Sequence, residues 1–64
     1  MKQYGFEMTV YVKGQPEPID HDFFLSEEEA ERARGRAYKE LDDVENVIID
    51  EVIYDDETGE TEAA

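Results

Sequence analysis

The sequence predicts a small α+β domain of β-β-α-β order, with a three-stranded antiparallel sheet and one helix packed on one face. Two segments, residues 3–13 and 19–25, alternate between apolar and polar side chains, as strands do. A stretch with helical spacing and a clear helix-start signal follows the second segment, and a third apolar segment comes after it. With 64 residues, the chain is long enough for one domain with one small core, which we place at residues 1–54.

The first segment has the most continuous apolar stripe in the chain, which places it at the centre of the sheet. Its apolar residues fall on one face in strict period 2: Tyr4, Phe6, Met8, Val10 and Val12. Residues 14–18 contain one Gly and two Pro and predict a turn into the second strand. In that strand Ile19, His21, Phe23 and Leu25 share one face, and Asp20, Asp22 and Phe24 share the other.

A helix is predicted from Ser26 to about Asp42. Ser26 is a favourable N-cap, and Glu29 lies three residues later, as in a capping box. The apolar residues that recur at helical spacing are Ala30, Ala33, Ala37, Tyr38 and Leu41, and we expect them to form the buried stripe.

The third predicted strand covers residues 44–54, and its pattern allows two registers. In one, Val47, Ile49 and Ile53 face the helix and Glu51 interrupts them. In the other, a bulge at Asp50–Glu51 changes which residues face inward. A right-handed crossover between the second and third strands gives the sheet order 2-1-3. Residues 55–64 are polar and acidic, and they predict a disordered tail.

Charge is concentrated at the C-terminal end of the chain. The formal net charge is −13, and residues 42–64 hold ten acidic residues and no Lys, Arg or His. Such a segment repels nucleic acid and anionic membranes and attracts basic protein surfaces. The Arg and Lys residues of the helix alternate with Glu and predict ion pairs on a solvated face, so we expect no direct binding of nucleic acid.

The composition offers little material for catalysis. The chain has no Cys, a single His and a single Ser that is used as the helix cap, so we expect no enzyme, cofactor or metal site. His21 lies between two acids, but on a strand these point to the opposite face. No apolar run approaches a membrane span, and the start of the chain lacks a signal peptide, so we expect a cytoplasmic protein.

The acidic segment has a functional interpretation and a simpler one as a solubility device. Carboxylates two residues apart on one face of a strand are about 7 Å from each other, which is comparable to the spacing of successive DNA phosphates. This spacing predicts binding to a basic nucleic-acid-binding groove. The predicted partner-binding residues are Asp42, Asp43, Glu45, Asp50, Glu51, Asp55, Asp56 and Glu57, with Glu60 and Glu62 as an extension.

Two resemblances follow from these features. The β-β-α-β order with its acidic capped helix (residues 26–30) resembles the small phage inhibitor of bacterial RNA polymerase from the T7 group, over residues 4–54. The resemblance implies an inhibitor function that would rest partly on basic residues of the last strand, where this chain has Asp50, Glu51 and Asp55 instead. In size, charge and lack of catalytic groups the chain also resembles acidic phage anti-defence proteins, including anti-CRISPR proteins that mimic DNA. The second resemblance implies a non-enzymatic inhibitor in the cytoplasm of the host cell.

Two alternatives use apolar surface instead of charge. The open face of the sheet, through Tyr11, Phe24 and Ile48, would bind host RNA polymerase or another specific protein. The same face would otherwise be buried in a plain structural homodimer.

Overall fold

The computed structural model describes residues 1–64 and contains four strands and one helix. The elements are β1 (Lys2–Val12), β2 (Asp20–Phe24), α1 (Glu27–Glu40), β3 (Val44–Asp55) and β4 (Glu60–Ala63). All strand pairs are antiparallel, and the sheet order is β2-β1-β3-β4. The α+β class, the single helix and the position of β1 between β2 and β3 are therefore confirmed, whereas the sheet has four strands instead of three.

The fourth strand replaces the predicted disordered tail, and a tight turn explains how it forms. Gly59 has φ +75°, and its N–H donates a hydrogen bond of 2.8 Å to the Asp55 carbonyl. The Asp55 side chain accepts a bond of 3.0 Å from the Glu57 N–H. The chain thus reverses and pairs residues 60–63 with residues 52–55. The prediction was wrong because β4 has both faces exposed and therefore lacks the apolar alternation that marks a strand.

β3 adopts the first of its two predicted registers. Its pairing with β1 is continuous from Asn46 to Asp55, which excludes the bulge at Asp50–Glu51. Val47, Ile49, Glu51 and Ile53 therefore lie on the helix-bearing face. The register shifts at Glu45 instead, because Asn46 pairs with Tyr11 while Val44 pairs with the next residue, Val12.

The orientation of β2 differs from the prediction for Phe24. This residue pairs with Phe6 and packs against the core on the helix-bearing face, so its expected place on the open face was wrong. Phe23 and His21 occupy the open face instead, opposite Glu7 and Thr9. Alternation shows that residues of an edge strand share a face, but it does not show which face the helix covers.

The core lies where α1 crosses β1 and β3. Met8, Val10 and Val47 of the sheet pack with Ala33 and Ala37 of the helix. The alanines are small, which lets the helix approach the sheet closely. Two members of the predicted stripe are not buried: Tyr38 is 49% exposed and Leu41 is 41% exposed. Tyr38 still contributes, because its hydroxyl accepts a hydrogen bond of 3.2 Å from the Val47 N–H.

The start of α1 follows the sequence signal. The Ser26 side chain accepts a hydrogen bond of 3.2 Å from the Glu29 N–H and thereby caps the helix. The structure contains no helix with the length and apolar character that a membrane span requires.

Candidate functional site

The predicted acidic residues do not form one continuous surface. Asp42, Asp43 and Glu45 lie at the start of β3, and residues 55–57 lie at its end. Because β3 has twelve residues, these two groups are about 36 Å apart at roughly 3.3 Å per residue. Asp50 and Glu51, between the groups, point to opposite faces of the sheet.

One predicted residue also has a structural role. Asp43 has φ +60°, in the left-handed region that Asp tolerates better than most residues. Its backbone carbonyl accepts a hydrogen bond of 2.8 Å from the Lys13 N–H, so the turn after α1 is tied to the end of β1.

The structure brings together a different set of four carboxylates, which we call the acidic patch: Glu51, Asp55, Glu60 and Glu62. They lie on the helix-bearing face of β3 and β4, beyond the part that α1 covers. Asp55 is directly opposite Glu60, and Glu62 is opposite Ile53. Glu60 and Glu62 are about 7 Å apart along the strand, and the cross-strand pair is about 5 Å apart.

Few cations of the chain form ion pairs with the acidic residues of the C-terminal segment, residues 42–64. Lys2 pairs with Glu62 at 3.7 Å, and both side chains are more than half exposed. The amino group of Met1 pairs with Asp56 and Glu57. Exposed pairs of this kind contribute about 0–1 kcal/mol each. None of the acids at the start of β3 takes part in an ion pair.

Tyr4 fixes one carboxylate of the acidic patch. Its hydroxyl donates a hydrogen bond of 2.8 Å to Glu51. This bond, together with desolvation and the negative charges of Glu51 and Glu27, raises the pKa of Tyr4 above its ordinary value. The sequence placed Tyr4 in the apolar stripe and gave no signal for its hydroxyl, because the partner across the sheet is set by the register of β1 and β3.

The open face carries an aromatic contact, which we call the aromatic bridge. The rings of Phe23 and Tyr54 meet with centroids 5.3 Å apart, although β1 lies between their strands. They meet across Gly5: a Cβ atom there would lie 2.5 Å from the Phe24 carbonyl oxygen and 2.7 Å from Cε1 of Phe23. Val52, which pairs with Gly5, is only 6% exposed. No local pattern in the sequence indicates this contact.

Beside the aromatic bridge lies an unusual pair of acids. Glu7 of β1 and Asp50 of β3 are directly opposite each other on the open face. Neither takes part in an ion pair or a side-chain hydrogen bond. A shallow groove of about 520 Å³ lies on this face. Its lining includes Glu7, His21 and both rings of the aromatic bridge, and no Lys or Arg, whereas Asp50 lies next to the lining, opposite Glu7.

Comparison with protein-family models, curated proteins and solved structures returned no match. No group of three or more His, Cys, Asp or Glu side chains is placed to hold a metal ion. The site is therefore described by its geometry and charge: an acidic patch on one face and an aromatic bridge with an acid pair on the other.

Proposed function

We propose that this protein is a non-enzymatic inhibitor that binds a basic nucleic-acid-binding groove of a host defence complex, of the anti-CRISPR or anti-restriction kind. The observation that carries the proposal is the acidic patch. Its four carboxylates belong to paired strands, so the backbone positions that carry them are fixed before binding. Their separations of about 5 and 7 Å are comparable to the distance between successive phosphates.

The long dimension of the molecule supports the same function. The acids at the two ends of β3 are about 36 Å apart, and the largest extent of the fold is 36 Å. One turn of duplex DNA is about 34–36 Å long, so groups on one side of a duplex recur at that distance. A groove that holds DNA phosphates one turn apart would therefore meet negative charge at both ends of β3.

Charge also favours rapid association with such a groove. A protein of net charge −13 is steered toward a positive cleft. Binding would release the anions that surround the positive cleft, just as a DNA-binding protein releases cations from the DNA. The affinity would therefore fall as the salt concentration rises.

The proposal is tested by displacement of labelled duplex DNA from purified defence nucleases, measured by fluorescence anisotropy at several salt concentrations. The patch variant neutralises the acidic patch: Glu51→Gln, Asp55→Asn, Glu60→Gln and Glu62→Gln. A control variant removes the same number of charges from the loop and the helix: Glu17→Gln, Glu28→Gln, Glu31→Gln and Glu40→Gln.

We expect the patch variant to inhibit at least tenfold more weakly than the control. The dependence of affinity on salt concentration should also be weaker for the patch variant than for the control, because fewer charges take part in binding. Equal inhibition by the two variants, or a ternary complex that retains the DNA, would contradict groove occupation.

An alternative is supported by the exposed apolar side chains of the open face. Ile48 is 39% exposed and lies on that face with Tyr11. Through these residues the protein would bind host RNA polymerase or another specific protein, or a second copy of itself. Such binding should persist at 500 mM salt, whereas groove occupation should not.

A further inference from the structure

The open face combines two features that the acidic patch does not have. One is the aromatic bridge, which presents the rings of Phe23 and Tyr54 beside the groove. The other is the pair Glu7 and Asp50, whose like charges face each other across β1 and β3. Like charges directly opposite in a sheet are destabilising, so this arrangement lowers the stability of the free protein.

No Lys or Arg of the chain forms an ion pair with Glu7 or Asp50. The helix arginines with ion pairs, Arg32 and Arg34, pair with glutamates of their own helix, and Lys2 pairs with Glu62 on the opposite face. The groove has the Glu7 carboxylate, two aromatic rings and His21 in its lining, and no Lys or Arg, and Asp50 lies opposite Glu7 at its side. Its chemistry is complementary to a cation that also has a flat or apolar surface.

A second copy of the chain does not fit this requirement. The open face of a second copy carries the same Glu7–Asp50 pair and so offers no complementary charge to it. An arginine side chain does fit, because its planar guanidinium donates hydrogen bonds to carboxylates in a fixed fork and stacks on aromatic rings. A lysine supplies the charge but not the flat surface.

We propose that the open face docks an arginine side chain of a basic protein partner, with the guanidinium between Glu7 and Asp50 and one of its flat sides toward the aromatic bridge. The inference rests on the proposed function only in taking the partner to be a basic protein. It adds a second contact surface, on the opposite side of the sheet from the acidic patch.

The test is a titration of the full chain with the peptide acetyl-Arg-Arg-Arg-amide, followed by ¹H–¹⁵N NMR at low salt. The corresponding trilysine peptide is the comparison ligand. The site variant is Glu7→Gln with Asp50→Asn. The control variant removes the same two charges elsewhere, with Glu45→Gln and Glu57→Gln. Asp50→Asn alone serves as a second site variant, since Asp50 is exposed and its replacement disturbs no buried contact.

We expect the shift changes to centre on β1 and β3 of the open face, with triarginine at least threefold tighter than trilysine. The dissociation constant should rise at least fivefold in the site variant and less than twofold in the control. Equal weakening in both variants, shift changes centred on the acidic patch, or equal binding of the two peptides would overturn the inference. The residues tested here are not those of the DNA-displacement experiment, so each proposal fails on its own data.

Discussion

Replacing Gly5 with alanine should destabilise the protein, although alanine is normally preferred to glycine in a strand. The reason is the aromatic bridge. An added Cβ would meet the Phe23 ring and would lie 2.5 Å from the Phe24 carbonyl oxygen. The ring can rotate away, but the carbonyl belongs to the backbone of β2, so the pairing of β1 and β2 must also shift.

The size of the effect follows from two opposing contributions. Overpacking costs about 1–3 kcal/mol, and the backbone contact places this case at the upper end, about 3 kcal/mol. Alanine recovers about 0.5–1 kcal/mol, because glycine loses more conformational freedom on folding. The net loss is about 2 kcal/mol, which lowers Tm by about 8–16 °C in a domain of this size.

Thermal unfolding by circular dichroism measures this change, and Gly35→Ala is the matched control. Gly35 lies in α1, and no atom would contact an added Cβ within 4 Å. The control should therefore raise the stability by about 1 kcal/mol, or Tm by about 4–8 °C. The near-ultraviolet spectrum should change only in the Gly5 variant, because Tyr54 loses its ring contact. A Gly5→Ala protein as stable as the parent would refute the reasoning.

Three further predictions concern the helix cap, Tyr4 and the β3–β4 pair. Ser26→Ala removes the acceptor for the Glu29 N–H and should cost about 1 kcal/mol, seen as a lower Tm, whereas Ser26→Gly should cost only a few tenths. The pKa of Tyr4 is raised in the folded state, so its contribution to stability is complete below the ordinary tyrosine pKa of 10.0 and is lost as pH rises through the folded value. Absorbance at 295 nm should show a late phase of tyrosine ionisation that Tyr4→Phe removes; a titration curve that keeps the same late phase in the variant would contradict the hydrogen bond. Asp55→Asn relieves the repulsion from Glu60 and keeps a side-chain acceptor at the turn, so it should raise stability by about 0.5 kcal/mol in urea unfolding; a loss of stability would show that the charge itself supports the turn.

The sequence was most informative where local patterns and burial agree. The alternation of residues 3–13 predicted the central strand, because Met8 and Val10 of its inward stripe are also buried in the core. Ser26 predicted the start of α1, since capping needs only atoms within three residues of each other. The concentration of negative charge in residues 42–64 can be read directly from the sequence and does not depend on the fold.

The candidate site was predictable only in part. Of the eight predicted partner-binding residues, only Glu51 and Asp55 belong to the acidic patch. Glu60 and Glu62 complete it because β4 pairs with β3, which a polar segment with both faces exposed does not reveal. Asp50 instead lies on the open face, opposite Glu7. The two residues are distant in the chain, so no local sequence pattern predicts that they are neighbours.

By itself the sequence determined the class of fold, the three main strands, the capped helix and the sign of the charge, because these depend on periodicity, capping and composition within short segments. Only the tertiary structure decided which face Phe23 and Phe24 occupy, that the last residues form β4, and that Gly5 lies under the aromatic bridge. Those features depend on long-range backbone hydrogen bonds, which set the register of strands distant in the chain. Register fixes which side chains share a face, and hence which carboxylates and rings meet.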